Sequence, residues 1–390
     1  MNERIAIIFL CEEAASLFKG GQHLPRFGGA GLNMYLLARE LQKDERFDVS
    51  FVFNVNPAHA YVDVSCLEGA GVRILSRKVL VENPIKRGVR KVAHIFGKTV
   101  HIPSVPQMNH AIYEGLPKRR IVFASMKYHL YDLLAESKVA SAKSVLRVAA
   151  EPDVEMITND GKTPNLALET YKEVDQMVVQ TEVQKEKLFA AGVESVVIPK
   201  GFSAQSFDAS LEKDIDFLWV ASCQPVYQPW KFIDLAKVLP EYSFQMLAPP
   251  GNVQLLDYLR RASNELENLS LIDRQISFED SQELFNRAKI FAFTKEYGSE
   301  PTSTIMQAFS GGAAVLSSGL DIDDGLFDEH NCWVRTDGSF EDFVSAASGM
   351  IEDCTAREQY VQKSRQLLQE RYSPQRAARS YADLFVKLVG

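Results

Sequence analysis

Short, continuously apolar segments alternate with amphipathic segments along the whole chain. Runs of Val, Ile, Leu and Phe suit parallel strands that are covered on both faces, whereas the intervening patterns are typical of helices packed on a sheet. In the first half, the predicted strands are residues 5–10, 49–53, 72–75, 121–124, 145–148, 176–180 and 196–199. This alternation predicts an α/β fold with a parallel sheet.

A second series of the same kind begins after residue 202. Its predicted strands are residues 217–220, 244–247, 269–272, 290–293 and 315–317, with helical patterns between them at residues 231–238 and 281–288. A chain of 390 residues is too long for one ordinary hydrophobic core. The two series therefore predict two Rossmann-like doubly wound domains that face each other across a cleft, with a linker at residues 201–214.

Charge and cysteine content exclude several classes of protein. A net charge of −8 argues against a nucleic-acid binder, and the five cysteines include no C-x-x-C pair that would indicate a metal site. Scattered cysteines suit a reducing cytoplasm. The apolar run at residues 5–11 is too short to span a membrane and lacks a cleavage pattern, so we expect a strand and a cytoplasmic protein.

Residues 296–318 contain the most informative local pattern. After a predicted strand come a Gly/Ser/Pro loop, a short helix, a glycine turn and another buried strand. The first turn of a helix exposes backbone N–H groups and the positive end of the helix dipole, which together favour an anion. Thr302, Ser303 and Thr304 stand at the predicted helix start, where one hydroxyl suffices as a cap and three in a row favour a phosphate or sugar site.

This segment resembles the donor-sugar segment of retaining, GT-B-fold glycosyltransferases, particularly glycosyltransferase family 4, with the pattern E-G-F-G-x-P-x-x-E-A-x-A-x-G-x-P-V-V-x-S. With Gly312 as the anchor, the second glutamate of the pattern falls on Gln307 and the first on Ser299, one residue before Glu300. Residues 198–202 and 281–293 resemble two further family segments. The resemblance thus extends over nearly the whole chain.

The resemblance implies a retaining, metal-independent transfer of a hexosyl or related sugar from a nucleotide diphosphate-sugar to a glycan or lipid-linked acceptor. It needs no cofactor, and a role in polysaccharide biosynthesis would fit it. It also implies that the last helix, predicted from residue 374, returns to the first domain. The expected domains are then residues 1–201 plus 374–390 on the acceptor side and 202–373 on the donor side. Glu300 is expected to orient the donor sugar, and Gln307 to accept a ribose hydroxyl.

Two further predicted contacts lie in the first domain. Gly29, Ala30 and Gly31 follow the first strand and precede a helix, so their amides are expected to approach the donor; a tight strand-to-helix turn is the alternative. His129 has the location of an acceptor-side catalytic histidine in the family. A lone histidine is more often structural, so that alternative stays open.

The family's diphosphate-binding Arg and Lys fall on Ser222 and Tyr227, so both cations are missing here. Lys231, one helical turn beyond Tyr227, and Arg274 are predicted to replace them, with Lys200 as another candidate. The alternative is that Lys231 is only a solvated helix residue.

Residues 85–98 combine helical apolar spacing with local positive charge from Lys86, Arg87, Arg90 and Lys91. This pattern favours contact with an acceptor or an anionic membrane surface, and an ordinary amphipathic helix is equally consistent with it. We expect no metal site, because the acidic segment at residues 321–324 lies outside the context of a D-x-D motif. The competing function is a non-catalytic GT-B homologue that acts as a binding or scaffold subunit, which the missing cations and displaced glutamates favour.

Overall fold

A computed structural model describes residues 3–11, 14, 17, 29–55, 72–78, 110–125, 130–158, 166–202, 212–298, 300–320, 322 and 325–390. Within them the chain forms two parallel sheets with helices on both faces. The α/β class with two doubly wound sheets is the predicted fold class, and it is confirmed.

The first sheet has the strand order β3-β2-β1-β4-β5-β6-β7, and every pairing in it is parallel. Its strands are β1 (Ile5–Leu10), β2 (Phe47–Val55), β3 (Arg73–Lys78), β4 (Arg119–Ser125), β5 (Lys143–Arg147), β6 (Gln176–Val179) and β7 (Ser195–Val197). Its helices are α1 (Gly29–Leu41), α2 (Leu130–Ala140), α3 (Glu151–Thr158), α4 (Leu166–Lys172) and α5 (Glu182–Ala190). Every residue of β1 is buried, as expected for a strand covered on both faces.

The second sheet has the order β10-β9-β8-β11-β12-β13 and is also parallel. Its strands are β8 (Ile215–Val220), β9 (Phe244–Leu247), β10 (Leu269–Ile272), β11 (Ala288–Phe293), β12 (Ala314–Ser317) and β13 (Trp333–Arg335). Its helices are α6 (Pro229–Val238), α7 (Val253–Glu265), α8 (Phe278–Arg287), α9 (Ser303–Gly311), α10 (Leu326–Glu329), α11 (Phe340–Glu352) and α12 (Cys354–Arg371). The strand order reverses between β8 and β11, and ligands bind in such crevices at the carboxyl ends of the strands.

The last helix, α13 (Pro374–Val389), packs on the first sheet rather than the second. Tyr381 and Phe385 are buried in the core under β1 and β4, and both rings contact Phe123 of β4. The chain therefore crosses between the sheets twice. The crossings touch, because the Phe202 N–H donates to the Tyr372 carbonyl at 2.7 Å.

Glycine at position 201 makes this close crossing sterically accessible. A Cβ there would lie 2.8 Å from the Cα of Pro374 and 3.0 Å from the Cβ of Ala377. Any larger residue would push the two connections apart, because a separation below 3.0 Å between such carbon atoms is repulsive. The relative placement of the two sheets thus depends on a glycine next to a proline.

Candidate functional site

A cleft of about 630 Å³ lies between the two sheets and is lined by both of them. From the second sheet it takes residues that follow β8 and β11, the two strands at the reversal of strand order. From the first sheet it takes the start of α1 and residues that follow β5. The volume is in the usual range for small-molecule sites, and the location is where open α/β sheets bind ligands.

The amino-terminal ends of α1 and α9 meet in this cleft. Asn33 of α1 donates through Nδ2 to the Gly29 carbonyl at 2.6 Å and to the Ser303 hydroxyl of α9 at 3.4 Å. A Cβ at Gly29 would lie 2.8 Å from Ser303 Oγ, so any other residue here would require the Ser303 hydroxyl to move. Two helices thus direct their positive dipole ends at one place, an arrangement that favours an anion.

The hydroxyl residues at the start of α9 divide their roles. Thr302 is the N-cap: its Oγ1 accepts the Ile305 N–H at 3.3 Å and lies 2.8 Å from Thr304 Oγ1. Ser303 faces α1 instead. All three line the cleft, as do Gly29 and Ala30. Gly31 is buried in α1 and is not among the lining residues.

Glu300 is held by protein groups on both of its carboxylate oxygens. Oε1 accepts from the Lys295 ammonium at 2.9 Å, and Oε2 accepts the N–H of Glu151 at the start of α3 at 3.2 Å. The Lys295 and Glu300 side chains are only 8% and 4% exposed. The carboxylate expected to orient a sugar therefore also connects the two sheets across the cleft.

The start of α3 carries further acidic groups near this contact. Asp153 accepts the N–H groups of Ala149 and Ala150 at 2.8 and 3.0 Å. Burial raises the pKa of Asp153, and the nearby Glu300 carboxylate raises it further, while those two N–H bonds act in the opposite direction. Glu151 forms an ion pair with Lys187 on α5.

Gln307 lies on α9 at the back of the cleft and is almost fully buried. Its Nε2 donates to the Ser281 hydroxyl at 3.3 Å, and its backbone carbonyl accepts from Gln282 at 3.1 Å. Because these contacts engage the amide nitrogen and the carbonyl of the main chain, the side-chain oxygen is the atom expected to accept a ligand hydroxyl.

Comparison with solved structures identifies the fold of the chain. HepE of Anabaena in complex with UDP and glucose has a TM-score of 0.67 at 13% identity, and the match covers 98% of this chain and 99% of that one. Sucrose-phosphate synthase of Thermosynechococcus elongatus has a TM-score of 0.69 at 11% identity, with 99% of both chains covered. The chain has the GT-B fold.

Sequence comparison is weaker than the structural comparison. No protein-family model matches the chain. An uncharacterized glycosyltransferase of Methanocaldococcus jannaschii is 23% identical over 160 residues. That match covers 40% of this chain and 40% of the relative.

The cations that line the GT-B cleft agree only in part with those suggested by the sequence. Ser222 and Tyr227 line it, but Lys231 and Arg274 are not among the lining residues. The Lys231 ammonium lies 3.4 Å from the Gly338 carbonyl, and burial lowers its pKa. Arg274 is exposed.

Three other cationic side chains do line the cleft: Arg147, Lys200 and Lys295. Lys200 was a candidate from the sequence, whereas Arg147 and Lys295 were not predicted. The available signal was position, since Arg147 ends β5 and Lys295 comes two residues after β11, both at carboxyl ends of strands.

Several predicted residues lie outside the described part of the chain. They are His129 and the four basic residues Lys86, Arg87, Arg90 and Lys91. Within the described part, no group of three or more His, Cys, Asp or Glu side chains is arranged to hold a metal ion. None of the helices described there combines the length and apolar character needed to cross a membrane.

Proposed function

We propose that this chain is a glycosyltransferase that transfers a hexosyl or related sugar from a nucleotide diphosphate-sugar with retention of configuration and without a metal ion. We propose membership of family 4 and a glycan or lipid-linked acceptor, with a role in polysaccharide biosynthesis. We place the protein in the cytoplasm, with contact between residues 86–91 and the inner face of a membrane.

The observation that carries this proposal is the meeting of two helix starts in an interdomain cleft. The amino-terminal ends of α1 and α9 are in direct contact, because Asn33 of α1 donates a hydrogen bond to the Ser303 hydroxyl of α9. Cationic side chains line the same cleft. A diphosphate bears two to three negative charges at neutral pH, and backbone amides together with cations are the groups that stabilise it. The proposed donor contacts are Gly29, Ala30, Thr302, Ser303 and Thr304.

The similar structures support the same ligand class. HepE of Anabaena is described with UDP and glucose bound, and it shares the whole-chain fold. In this chain, the cleft volume of about 630 Å³ is sufficient for a nucleotide with one sugar. Gln307 then offers its side-chain oxygen to a ribose hydroxyl.

Catalysis in such a site is mainly donor positioning together with stabilisation of the leaving diphosphate. Amides and cations already directed at the diphosphate stabilise the charge that develops as the glycosidic C–O bond breaks, without reorganisation of water. The residues proposed to act on the sugar and the acceptor are Glu300 and His129.

The decisive experiment is a transfer assay with a matched binding assay. Purified protein is incubated with UDP-, GDP- and ADP-sugars and a panel of glycan and lipid-linked acceptors, in the presence and absence of EDTA. We expect release of one nucleoside diphosphate, a product whose anomeric proton coupling matches that of the donor, and no effect of EDTA. If the protein neither binds nor turns over any of these donors, the result would favour the non-catalytic homologue.

A further inference from the structure

Lys295 is at the point where the strand order of the second sheet reverses. It follows β11 by two residues, and β11 pairs with β8 at the reversal. Residues after both strands line the cleft: Ala221 and Ser222 after β8, and Thr294 and Lys295 after β11. Of these four, only Lys295 carries a charge. It therefore places a positive charge where an open α/β sheet binds its ligand.

The Lys295 ammonium is nearly buried and has spare hydrogen-bonding capacity. An ammonium has three N–H donors, and within the described residues it has one partner, Glu300 Oε1 at 2.9 Å. Because the side chain lines the cleft, its remaining N–H groups are available to the oxygen atoms of a ligand that enters the cleft and displaces water.

Glu300 holds Lys295 in place and is itself balanced by other groups. Its second oxygen accepts the Glu151 N–H, so the amino-terminal end of α3 provides a counter-charge in addition to Lys295. The ammonium therefore does not have its charge fully committed to Glu300. Both of the carboxylate oxygens are engaged with protein donors, whereas the ammonium is only partly engaged.

Gly298 leaves the space that the ammonium occupies. Its φ is +128°, a conformation that residues with side chains rarely adopt. A Cβ there would lie 2.5 Å from Lys295 Nζ and 3.2 Å from Glu300 Oε2. The loop between β11 and α9 is thus shaped around the ion pair, on the side of the cleft where α9 begins.

We propose that the Lys295 ammonium binds the diphosphate of the donor nucleotide and that Glu300 is the residue that positions it. This inference rests on the proposed function, because it assigns a cation within the same site. It replaces Lys231 and Arg274 with a side chain that lines the cleft. The bound diphosphate oxygens take up the N–H donors of Lys295 that Glu300 does not use.

The test separates loss of the cation from loss of stability. Removing Lys295 alone leaves a buried carboxylate without its ion partner, which is strongly destabilising. The informative variant is therefore the double substitution Lys295→Met with Glu300→Gln, which removes both charges and keeps similar side-chain volumes. Lys289→Met is the matched control, because Lys289 is on β11, the strand that precedes Lys295, forms an ion pair with Asp216 and does not line the cleft.

Isothermal titration calorimetry with UDP, GDP and ADP, and with the three parent nucleosides, provides the readout. We expect the double variant to lose about 10- to 100-fold in affinity for the preferred nucleoside diphosphate, the range for one charge-assisted hydrogen bond, with nucleoside affinity unchanged. The single variant Lys295→Arg should keep most of the wild-type affinity because it keeps the positive charge. Glu300→Gln alone should weaken nucleoside diphosphate binding relative to nucleoside binding, but by less than the double variant does. The reason is that the Lys295 ammonium remains charged and loses only its fixed orientation.

The outcomes distinguish this inference from the function on which it rests. If the wild type binds a nucleoside diphosphate and the folded double variant binds it within twofold, the Lys295 assignment is overturned and the proposed function stands. Selective loss in Lys231→Ala, with none in the double variant, also overturns it in favour of Lys231. If the wild type binds no nucleoside diphosphate, both proposals fail.

Discussion

Asn33 Nδ2 lies 3.4 Å from Ser303 Oγ, although 270 positions separate the two residues in the chain. This contact brings the first turn of α1, on the first sheet, against the first turn of α9, on the second sheet. The geometry of the proposed diphosphate site depends on it, because each helix contributes its free amides only if the other helix approaches from across the cleft.

Replacing Ser303 with glutamate should abolish binding of nucleoside diphosphates. The new carboxylate would lie at the start of α9 and repel the diphosphate, and its bulk would also separate the helix from Gly29. Ser303→Gln controls for size, because it adds the same number of side-chain atoms without the charge. Calorimetry should show weaker binding for Ser303→Glu than for Ser303→Gln; equal affinities of the two variants would contradict a charge effect.

Glu300→Gln should lower the free energy of unfolding by about 1–3 kcal/mol, since it weakens the bonds from Lys295 and from the Glu151 N–H. A role limited to sugar orientation predicts a different result, namely lost turnover at unchanged stability. Chemical denaturation and the transfer assay, performed on the same variant, distinguish the two. Glu296→Gln is the control, because Glu296 is an exposed glutamate of the same loop and should change neither property.

Gly298→Ala should lower both stability and nucleoside diphosphate affinity. The added methyl group would need to displace the Lys295 ammonium, from which it would lie 2.5 Å, and alanine disfavours a φ of +128°. Gly115→Ala separates these causes, since Gly115 has a φ of +81° but, among the described residues, no atom within 4 Å of the added group. We expect it to show a stability loss of about 1–2 kcal/mol with unchanged affinity. A Gly298→Ala variant that binds UDP normally would show that the ammonium need not occupy this position.

Lys213 ties together the ends of two helices that position the site. Its ammonium donates to the carbonyls of Asn286, Ala288 and Gly311, at the carboxyl ends of α8 and α9, at 2.8–3.2 Å. Lys213→Met should therefore cost about 1–3 kcal/mol of unfolding free energy, because three carbonyls lose a charged donor. Donor affinity should change little, since Lys213 lies at the opposite end of α9 from the cleft.

The same lysine predicts a pH dependence of stability. Burial lowers the pKa of Lys213 from 10.5 to about 8. Between those values the unfolded chain binds the proton and the folded chain does not, so this residue makes stability rise with pH across that window. Denaturation at pH 7–10.5 should show a wild-type advantage over Lys213→Met that grows with pH. Lys237→Met, at an exposed helical position, should show no such growth.

The strands were predictable because burial on both faces leaves a direct record in the sequence. Residues 5–10, 244–247 and 269–272 were predicted with the bounds observed. The strand Trp333–Arg335 was missed. It has three residues, and its exposure increases from the buried Trp333 to the exposed Arg335, so it lacks the continuous apolar run that marks the others.

The candidate site was only partly predictable. The helix start at Thr302 to Thr304 and the glycine at position 29 carry local signals of capping and close approach, and both line the cleft. Lys295 carries no such signal, because a lysine after a strand is common on protein surfaces. The proposed role of Lys295 depends on Glu300, on Gly298 and on α3. Of these, α3 is distant in the sequence and comes near Lys295 only in the folded chain.

The sequence by itself determined the two parallel sheets, the order of strands and helices, and the helix starts that expose free amides. Each follows from which side chains avoid water and which can cap a helix, properties read over a few neighbouring residues. Tertiary structure alone decided that Glu300 contacts the Glu151 amide, 149 positions away, and that Asn33 contacts Ser303. Such contacts depend on how two crossings at Gly201 and Pro374 orient one sheet against the other, which no local pattern encodes.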